Sequence, residues 1–295
     1  MKATTRFRQM MRDPGLIVAP GVAEPMSARV VAQLGFRAIY MTGSGSTALR
    51  LGMPDIGLLT MPEMVDNAAR IAEASGLPLI ADADEGYGGV LNVRRTIRAY
   101  ERAGVAGVHI EDQKMPKRCG HMAGKTLITP TEMCAKIAAA CDARDDADFT
   151  IIARTDAFSV EGMESALERA ALYEQAGADM IFIEASPTMD DLKRIPKALK
   201  GPALYCLASL PNAIYLTDKE IEALGYKLAI YPNFVVLAQL TAAKRMLTAL
   251  KEKGTVEHVA KDLVTFAELF ETMGLPDLQA REAKYEAAAA KITSK

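Results

Sequence analysis

Eight short apolar runs punctuate the chain, separated by stretches in which apolar residues recur at helical spacing. They are LIVAP (16–20), AIYMTG (38–43), PLIADAD (78–84), GVHIED (107–112), FTIIARTD (149–156), MIFIEA (180–185), ALYCLA (203–208) and LAIYP (228–232). Each is continuous rather than alternating, the pattern of a strand covered on both faces. Gly35, Gly76, Gly104, Gly177, Gly201 and Gly225 each stand between a helical stretch and the next run, where a helix C′ position calls for positive φ. Helices between successive strands demand a parallel sheet with right-handed crossovers, and eight such units close on themselves. The pattern therefore predicts an α/β fold, a (β/α)8 TIM-type barrel. A doubly wound open sheet is the rival, but the G-x-G-x-x-G fingerprint of a dinucleotide site is absent.

Two segments exceed what a barrel needs. The link at about 113–129, QKMPKRCGHMAGKTLIT, is long and basic, as functional loops often are. After the eighth strand, residues 233–253, 255–274 and 277–293 read as helix. One closing helix suffices, so the surplus is expected to pack on a neighbouring subunit. The expectation is a single domain over residues 1–295, with the barrel at about 16–250 and a helical extension at about 251–295.

Composition narrows the setting. Half of the 295 residues are apolar and the net charge is −2, which argues against nucleic acid or an anionic membrane as partner. Cys119, Cys134, Cys141 and Cys206 lack paired metal-type spacing, and Cys134 and Cys141, at i and i+7 of a helix, read as small core residues. No apolar leader or membrane-length run is present, so a reducing cytoplasm is the expected compartment.

In a barrel of this kind the active site lies at the C-terminal ends of the strands. The polar residues there are Thr42-Gly43-Ser44, Asp82 and Asp84, Glu111, Arg154 and Glu184. Asp82 and Asp84, two apart on a strand, should face the same way and repel unless a cation lies between them. With Glu111 they form an all-oxygen set suited to Mg²⁺ or Mn²⁺ and not to zinc. The Thr42–Gly45 turn can cradle a carboxylate or phosphate with free backbone amides. Arg154, on an otherwise apolar strand, needs a partner, and an ion pair with Glu184 is one. Lys117-Arg118-Cys119-Gly120-His121 sets a thiol among cations, where it loses its proton readily. His109 reads as a satisfied structural histidine and His258 as a surface residue.

These motifs resemble a known family. IYMTGSG, ADADEGYGG, HIEDQ followed by KRCGH, and ARTD are similar to the isocitrate lyase and phosphoenolpyruvate mutase superfamily, over essentially the whole chain. The K-[KR]-C-G-H loop points to its lyase branch, of methylisocitrate lyase and 2,3-dimethylmalate lyase type, because the mutases lack the cysteine. The resemblance implies a barrel whose terminal helix is exchanged between subunits in a homotetramer, a dimer of dimers. It implies Mg²⁺, or Mn²⁺, on Asp82, Asp84 and Glu111. It implies an α-keto acid fragment bound by Thr42, Gly43 and Ser44, with Asp55 and Arg154 nearby and Gly120, Cys206 and Asn233 at the substrate. Cys119, on a closing loop, becomes the general acid, tuned by Arg118 and His121 and ordered by Glu184. The expected reaction is retro-aldol cleavage of a 2-hydroxy acid.

One region departs from the pattern. Where relatives place hydrogen-bonding residues for a distal carboxylate, this chain carries Cys206, Ala208 and Val235. An unpaired carboxylate in a closed site would cost several kcal/mol, so an apolar distal pocket and an alkylmalate substrate of the 2,3-dimethylmalate type are expected. Methylisocitrate lyase and oxaloacetate hydrolase or decarboxylase activities are the enzymatic alternatives. A catalytically silent barrel, serving as a binding module, has no reason to keep Cys119, Asp82, Asp84, Glu111 and Arg154 together.

Overall fold

The structure is a computed structural model that describes residues 1–120, 122–184, 188–207 and 213–293. It divides into two compact units, Met1–Leu237 and Ala238–Lys295. In the first, eight parallel strands close in sequence order: β1 (Ile17–Val22), β2 (Ile39–Met41), β3 (Leu79–Asp82), β4 (Gly107–Glu111), β5 (Thr150–Thr155), β6 (Met180–Ile183), β7 (Ala203–Cys206) and β8 (Leu228–Tyr231). β8 pairs with β1, Ile17 opposite Leu228 through Pro20 opposite Tyr231, which closes the ring. The eight-strand expectation is met run for run.

Side chains alternate between two cores, as strand geometry requires. Ile39, Met41, Ala81, Ile110, Ile151, Ala153 and Ile181 face the helices, in the core between barrel and helical layer. Tyr40, Ile80, Ile152, Phe182, Leu204 and Ile230 face inward, and Phe7 and Met10 of the N-terminal helix Ala3–Arg12 pack with them. The interior is filled. The residue two positions beyond an inward core residue therefore sits at the C-terminal mouth: Asp82 after Ile80, Arg154 after Ile152, Glu184 after Phe182 and Cys206 after Leu204.

Three expectations are corrected in detail. Gly35, Gly76, Gly104, Gly177 and Gly225 adopt positive φ, but Gly201 does not. The helix Met189–Ala198 leaves through an extended Leu199, and the Gly201 N–H donates to Glu174 Oε1 at 2.6 Å instead. Residues 255–274 form two helices, Glu257–Ala260 and Phe266–Thr272, because Thr265 accepts from the Glu268 N–H at 3.1 Å and starts a new N-terminus. Cys134 and Cys141 lie half-buried at the edge of the outer core rather than within it.

No helix among the described residues is long and apolar enough to cross a membrane. The second unit continues the helix Phe234–Lys253 and ends in the helix Leu275–Thr293. It exposes Leu247, Leu263, Val264, Phe266, Leu278, Tyr285 and Ile292. His258 is exposed there, as expected.

Candidate active site

A narrow cavity opens at the C-terminal mouth of the barrel. Thr42, Ser44, Asp55, Asp82, Cys119, Gly120, Arg154, Glu184, Cys206 and Asn233 line it, with Tyr40, Phe182, Ile230 and Pro232. Ten positions singled out in the sequence thus share one cavity. Asn233, just past β8, binds across to the end of β2: its Oδ1 accepts from Thr42 Oγ1 at 3.0 Å and Ser44 Oγ at 3.1 Å. The Thr42 turn is less free than expected. The Gly43 N–H donates to Asp82 Oδ2 at 3.2 Å and the Gly45 N–H to Thr42 Oγ1 at 3.3 Å, so two of its amides are already engaged.

Arg154 is the centre of the cationic wall. Its guanidinium meets Asp156 at 3.0 and 3.2 Å, Glu111 at 3.2 Å and Glu184 at 3.5 Å, and stands 5.2 Å from the centre of the Phe182 ring. Glu184 is therefore one of three carboxylates on this arginine. Three anionic neighbours hold Arg154 charged against the opposing effect of burial.

The acidic set is buried, but not as strand geometry alone suggested. Asp82 ends β3, whereas Asp84 lies beyond it with φ of 46°, so the two do not share a strand face. The Asp84 N–H donates to Asp82 Oδ1 at 2.9 Å. The cation on Asp84 is an ammonium: Lys117, 2% exposed, reaches Asp84 Oδ1 at 2.5 Å and Asp55 Oδ1 at 2.6 Å. Glu111 is drawn to Arg154. With these two carboxylates turned to side-chain cations, no three acidic, histidine or cysteine side chains among the described residues form a ready-made metal sphere.

Whether the residues suit a divalent ion is decided by charge and by open valences. Among the described residues, Asp55, Asp82, Asp84, Glu111, Asp156 and Glu184 are buried, and Lys117, Lys125 and Arg154 pair with five of these six carboxylates. Burial pushes Asp84 up to about 7 and Glu111 well above the carboxylate range, while at Asp82 burial is outweighed by His109, Lys117 and Arg154. Glu111 Oε1 is buried with no hydrogen-bond donor. An excess of hard oxygen donors, short of positive charge, fits Mg²⁺ or Mn²⁺.

The Cys119 segment is anchored on both sides of the thiol. The Cys119 N–H donates to the Asp55 carbonyl at 3.0 Å, and Gln113 pairs with both the N–H and carbonyl of Arg118, at 2.9 and 2.8 Å. Lys125 bonds the Gly120 carbonyl and reaches Asp156 Oδ1 at 3.0 Å. Gly120 packs so tightly that a Cβ there would meet an Arg154 nitrogen and stand 2.7 Å from Glu184 Cγ. Arg118, expected to tune Cys119, is instead exposed and donates to the Ala123 carbonyl at 3.2 Å. His121 and Ala208 lie outside the described residues, and Val235 is half-buried in the first turn after Asn233 without lining the cavity.

His109 is buried and bonds Tyr40 Oη at 2.8 Å through Nε2, while its Nδ1 has no hydrogen-bond partner. Burial pulls it down to about 4, so it is neutral at pH 7. Four contributors were not read from the sequence as partners in this network: Asp156, Asp112, Lys117 and Lys125. Asp156 stands two residues after Arg154, a same-face spacing that could have revealed it. Asp112 faces the helical layer, where its carboxylate accepts from Thr155 Oγ1 at 2.7 Å, the Asp156 N–H at 3.0 Å and Tyr173 Oη at 2.8 Å, fixing the end of β5. Lys117 and Lys125 act across loops, and no local pattern signals their partners.

Fold and site together define a (β/α)8 barrel with a buried, charge-rich cavity at its C-terminal mouth, the place where barrel enzymes carry their active sites. Residues 7–251 match the phosphoenolpyruvate phosphomutase family, and the chain belongs to the phosphoenolpyruvate mutase/isocitrate lyase superfamily. It is 45% identical to the 2,3-dimethylmalate lyase of Eubacterium barkeri over 97% of this chain and 99% of that one. It is 41% identical to the 2-methylisocitrate lyase of Aeropyrum pernix over 94% and 89%. Among solved structures it resembles oxaloacetate acetylhydrolase with 3,3-difluorooxalacetate (TM-score 0.91, 36% identity, 97% of both chains). It also resembles phosphonopyruvate hydrolase with oxalate and Mg²⁺ (TM-score 0.87, 30% identity, 97% and 99%).

Proposed function

We propose that this protein is a divalent-cation-dependent carbon–carbon lyase that cleaves a 2-hydroxy acid of the 2,3-dimethylmalate or alkylmalate type into an α-keto acid, pyruvate, and a short carboxylate. The observation that carries the reading is the mixed lining of the cavity. Thr42, Ser44, Asn233 and Arg154 supply polar groups suited to one carboxylate, while Cys206, Ile230, Phe182 and Pro232 make up a largely apolar wall with no charged donor for a second. Rejection of a carboxylate by such a wall is worth several kcal/mol.

Asp82, Asp84 and Glu111 would hold Mg²⁺, or Mn²⁺. When bound, the ion would lower the pKa of the substrate hydroxyl and neutralise charge as the α-keto acid forms. The protein's own residues do the rest. Thr42, Ser44 and Arg154 orient the acid end. As the hydroxyl gives up its proton and becomes the keto group, the carbon–carbon bond breaks and its electron pair passes to the carbon beside the departing carboxylate. Cys119 Sγ delivers a proton there before the fragments recombine. Over a turnover the proton released by the hydroxyl replaces the one the thiol donates. Glu184, on Arg154 and beside Gly120, orders that end of the cavity. The segment holding Cys119 and Gly120 keeps water from the carbanion.

Four free cysteines suit a reducing, cytoplasmic setting. The exposed apolar residues of the unit Ala238–Lys295 support its exchange onto a neighbouring subunit in a homotetramer. Light scattering on the purified chain measures that directly.

The activity test is keto acid release with Mg²⁺ from 2,3-dimethylmalate, 2-methylisocitrate and oxaloacetate, with Cys119→Ser as control. Cleavage of dimethylmalate in preference to methylisocitrate, falling about 10²- to 10⁴-fold in the variant, is expected. Preference for methylisocitrate would mean that a carboxylate partner exists in the distal wall. Turnover of oxaloacetate alone would place the chain with the hydrolases.

A further inference from the structure

Lys117 is the least expected member of the site. A lysine is rarely so buried, and one that is must be paired. Its ammonium bridges Asp55 and Asp84, one of the carboxylates assigned to the cation. Two other groups bias the same spot: Asp82, hydrogen-bonded to the Asp84 amide, and Glu111, both of which favour the ammonium charge. Two residues further along the chain, the Cys119 N–H is tied to the carbonyl of the same Asp55. One acidic residue thus anchors both the ammonium and the backbone that carries the thiol.

From this geometry we infer that Lys117 is a built-in counter-ion of the acid cluster that gives way to the divalent cation, so that the cation alone loosens the Cys119 segment and an anionic ligand seats it again. The inference rests on the cation site proposed above. A divalent ion on Asp84 would share that carboxylate with the ammonium, and two cations on one buried carboxylate cannot both be held at full affinity. Once a dicarboxylate arrives, its negative charge separates the two cations, and Lys117 can return to Asp55. The order is dictated by charge alone. The lysine also explains how so acidic a cluster folds without collapsing into repulsion before any ligand is bound.

The first test is Mn²⁺ binding, followed by the loss of the free-ion EPR signal, for wild type, Lys117→Met and Lys117→Gln. Removal of the competing cation should tighten Mn²⁺ by at least about tenfold in both variants. A lysine that merely supports the fold would leave affinity unchanged or weaken it, and either result overturns the inference. If none of the three proteins retains Mn²⁺, the cation site itself fails and the inference falls with it.

The second test needs no variant. The rate at which iodoacetamide labels Cys119 is followed by peptide mass spectrometry on wild type in EDTA, in Mn²⁺, and in Mn²⁺ with oxalate. Mn²⁺ alone should raise the rate about threefold or more, and oxalate should return it to or below the EDTA rate. An unchanged or slower rate in Mn²⁺ alone, with Mn²⁺ binding demonstrated, overturns the proposal while leaving the cation site intact.

Discussion

The Gly120→Ala substitution isolates how closely the Cys119 segment must approach the arginine wall. Gly120 does not have positive φ, so alanine adds no backbone strain, only one methyl group. That methyl would lie 2.7 and 2.8 Å from Cγ and Cδ of Glu184 and closer still to an Arg154 nitrogen. Ordinary contact needs about 3.5 Å or more, so roughly 1 Å of movement is required. Arg154 is held by Asp156, Glu111 and Glu184, and freeing it would strand buried charges at a cost of about 3–5 kcal/mol. The segment yields instead, because its own ties at this point are the Lys125 bond to the Gly120 carbonyl and the Cys119–Asp55 bond. A displacement near 1 Å of the proton donor costs about 10²-fold in rate. The expected result is therefore kcat/KM for dimethylmalate cleavage down about 10²-fold, with stability to urea changed by less than about 1 kcal/mol. A variant with kcat/KM within about threefold of wild type would refute the reasoning, since it would mean that the thiol works from a position the methyl does not disturb.

Cys206→Asn would put an amide into the distal wall, and the ratio of methylisocitrate to dimethylmalate cleavage should rise about tenfold or more; competition assays with both substrates measure it. His109, lowered by burial to about 4 from 6.5, binds a proton more readily when unfolded. Its contribution to stability is complete above pH 6.5 and falls as the pH drops, by up to roughly 3 kcal/mol near pH 4. Urea titrations across that window should therefore show a shallower pH slope in His109→Gln than in wild type. Thr129 caps the helix Pro130–Ala143 by accepting from the Glu132 N–H at 3.2 Å, while Glu132 answers to the Thr129 N–H at 2.8 Å. Thr129→Ala should cost about 1 kcal/mol in chemical denaturation without changing kcat by more than about twofold.

How much the sequence by itself determined depends on the range over which each feature is decided. Eight strands, their parallel order and the barrel were legible because hydrophobic periodicity and helix-ending glycines are local signals repeated along the chain. The inward positions at the strand ends were legible for the same reason: alternation fixes which of Asp82, Arg154, Glu184 and Cys206 face the mouth. Local chemistry could also mislead, as at Gly201, where an extended exit replaced the expected cap, and in residues 255–274, where Thr265 started a second helix. The tertiary structure alone decided the pairing of charges. Lys117 reaches Asp55 across 62 positions, and Asn233 reaches Thr42 across 191. Arg118 and Lys117 are neighbours in sequence, yet one is exposed and the other sealed among carboxylates. Nothing in the order of residues distinguishes them, because a buried charge is placed by whichever opposite charges the closed barrel brings within reach.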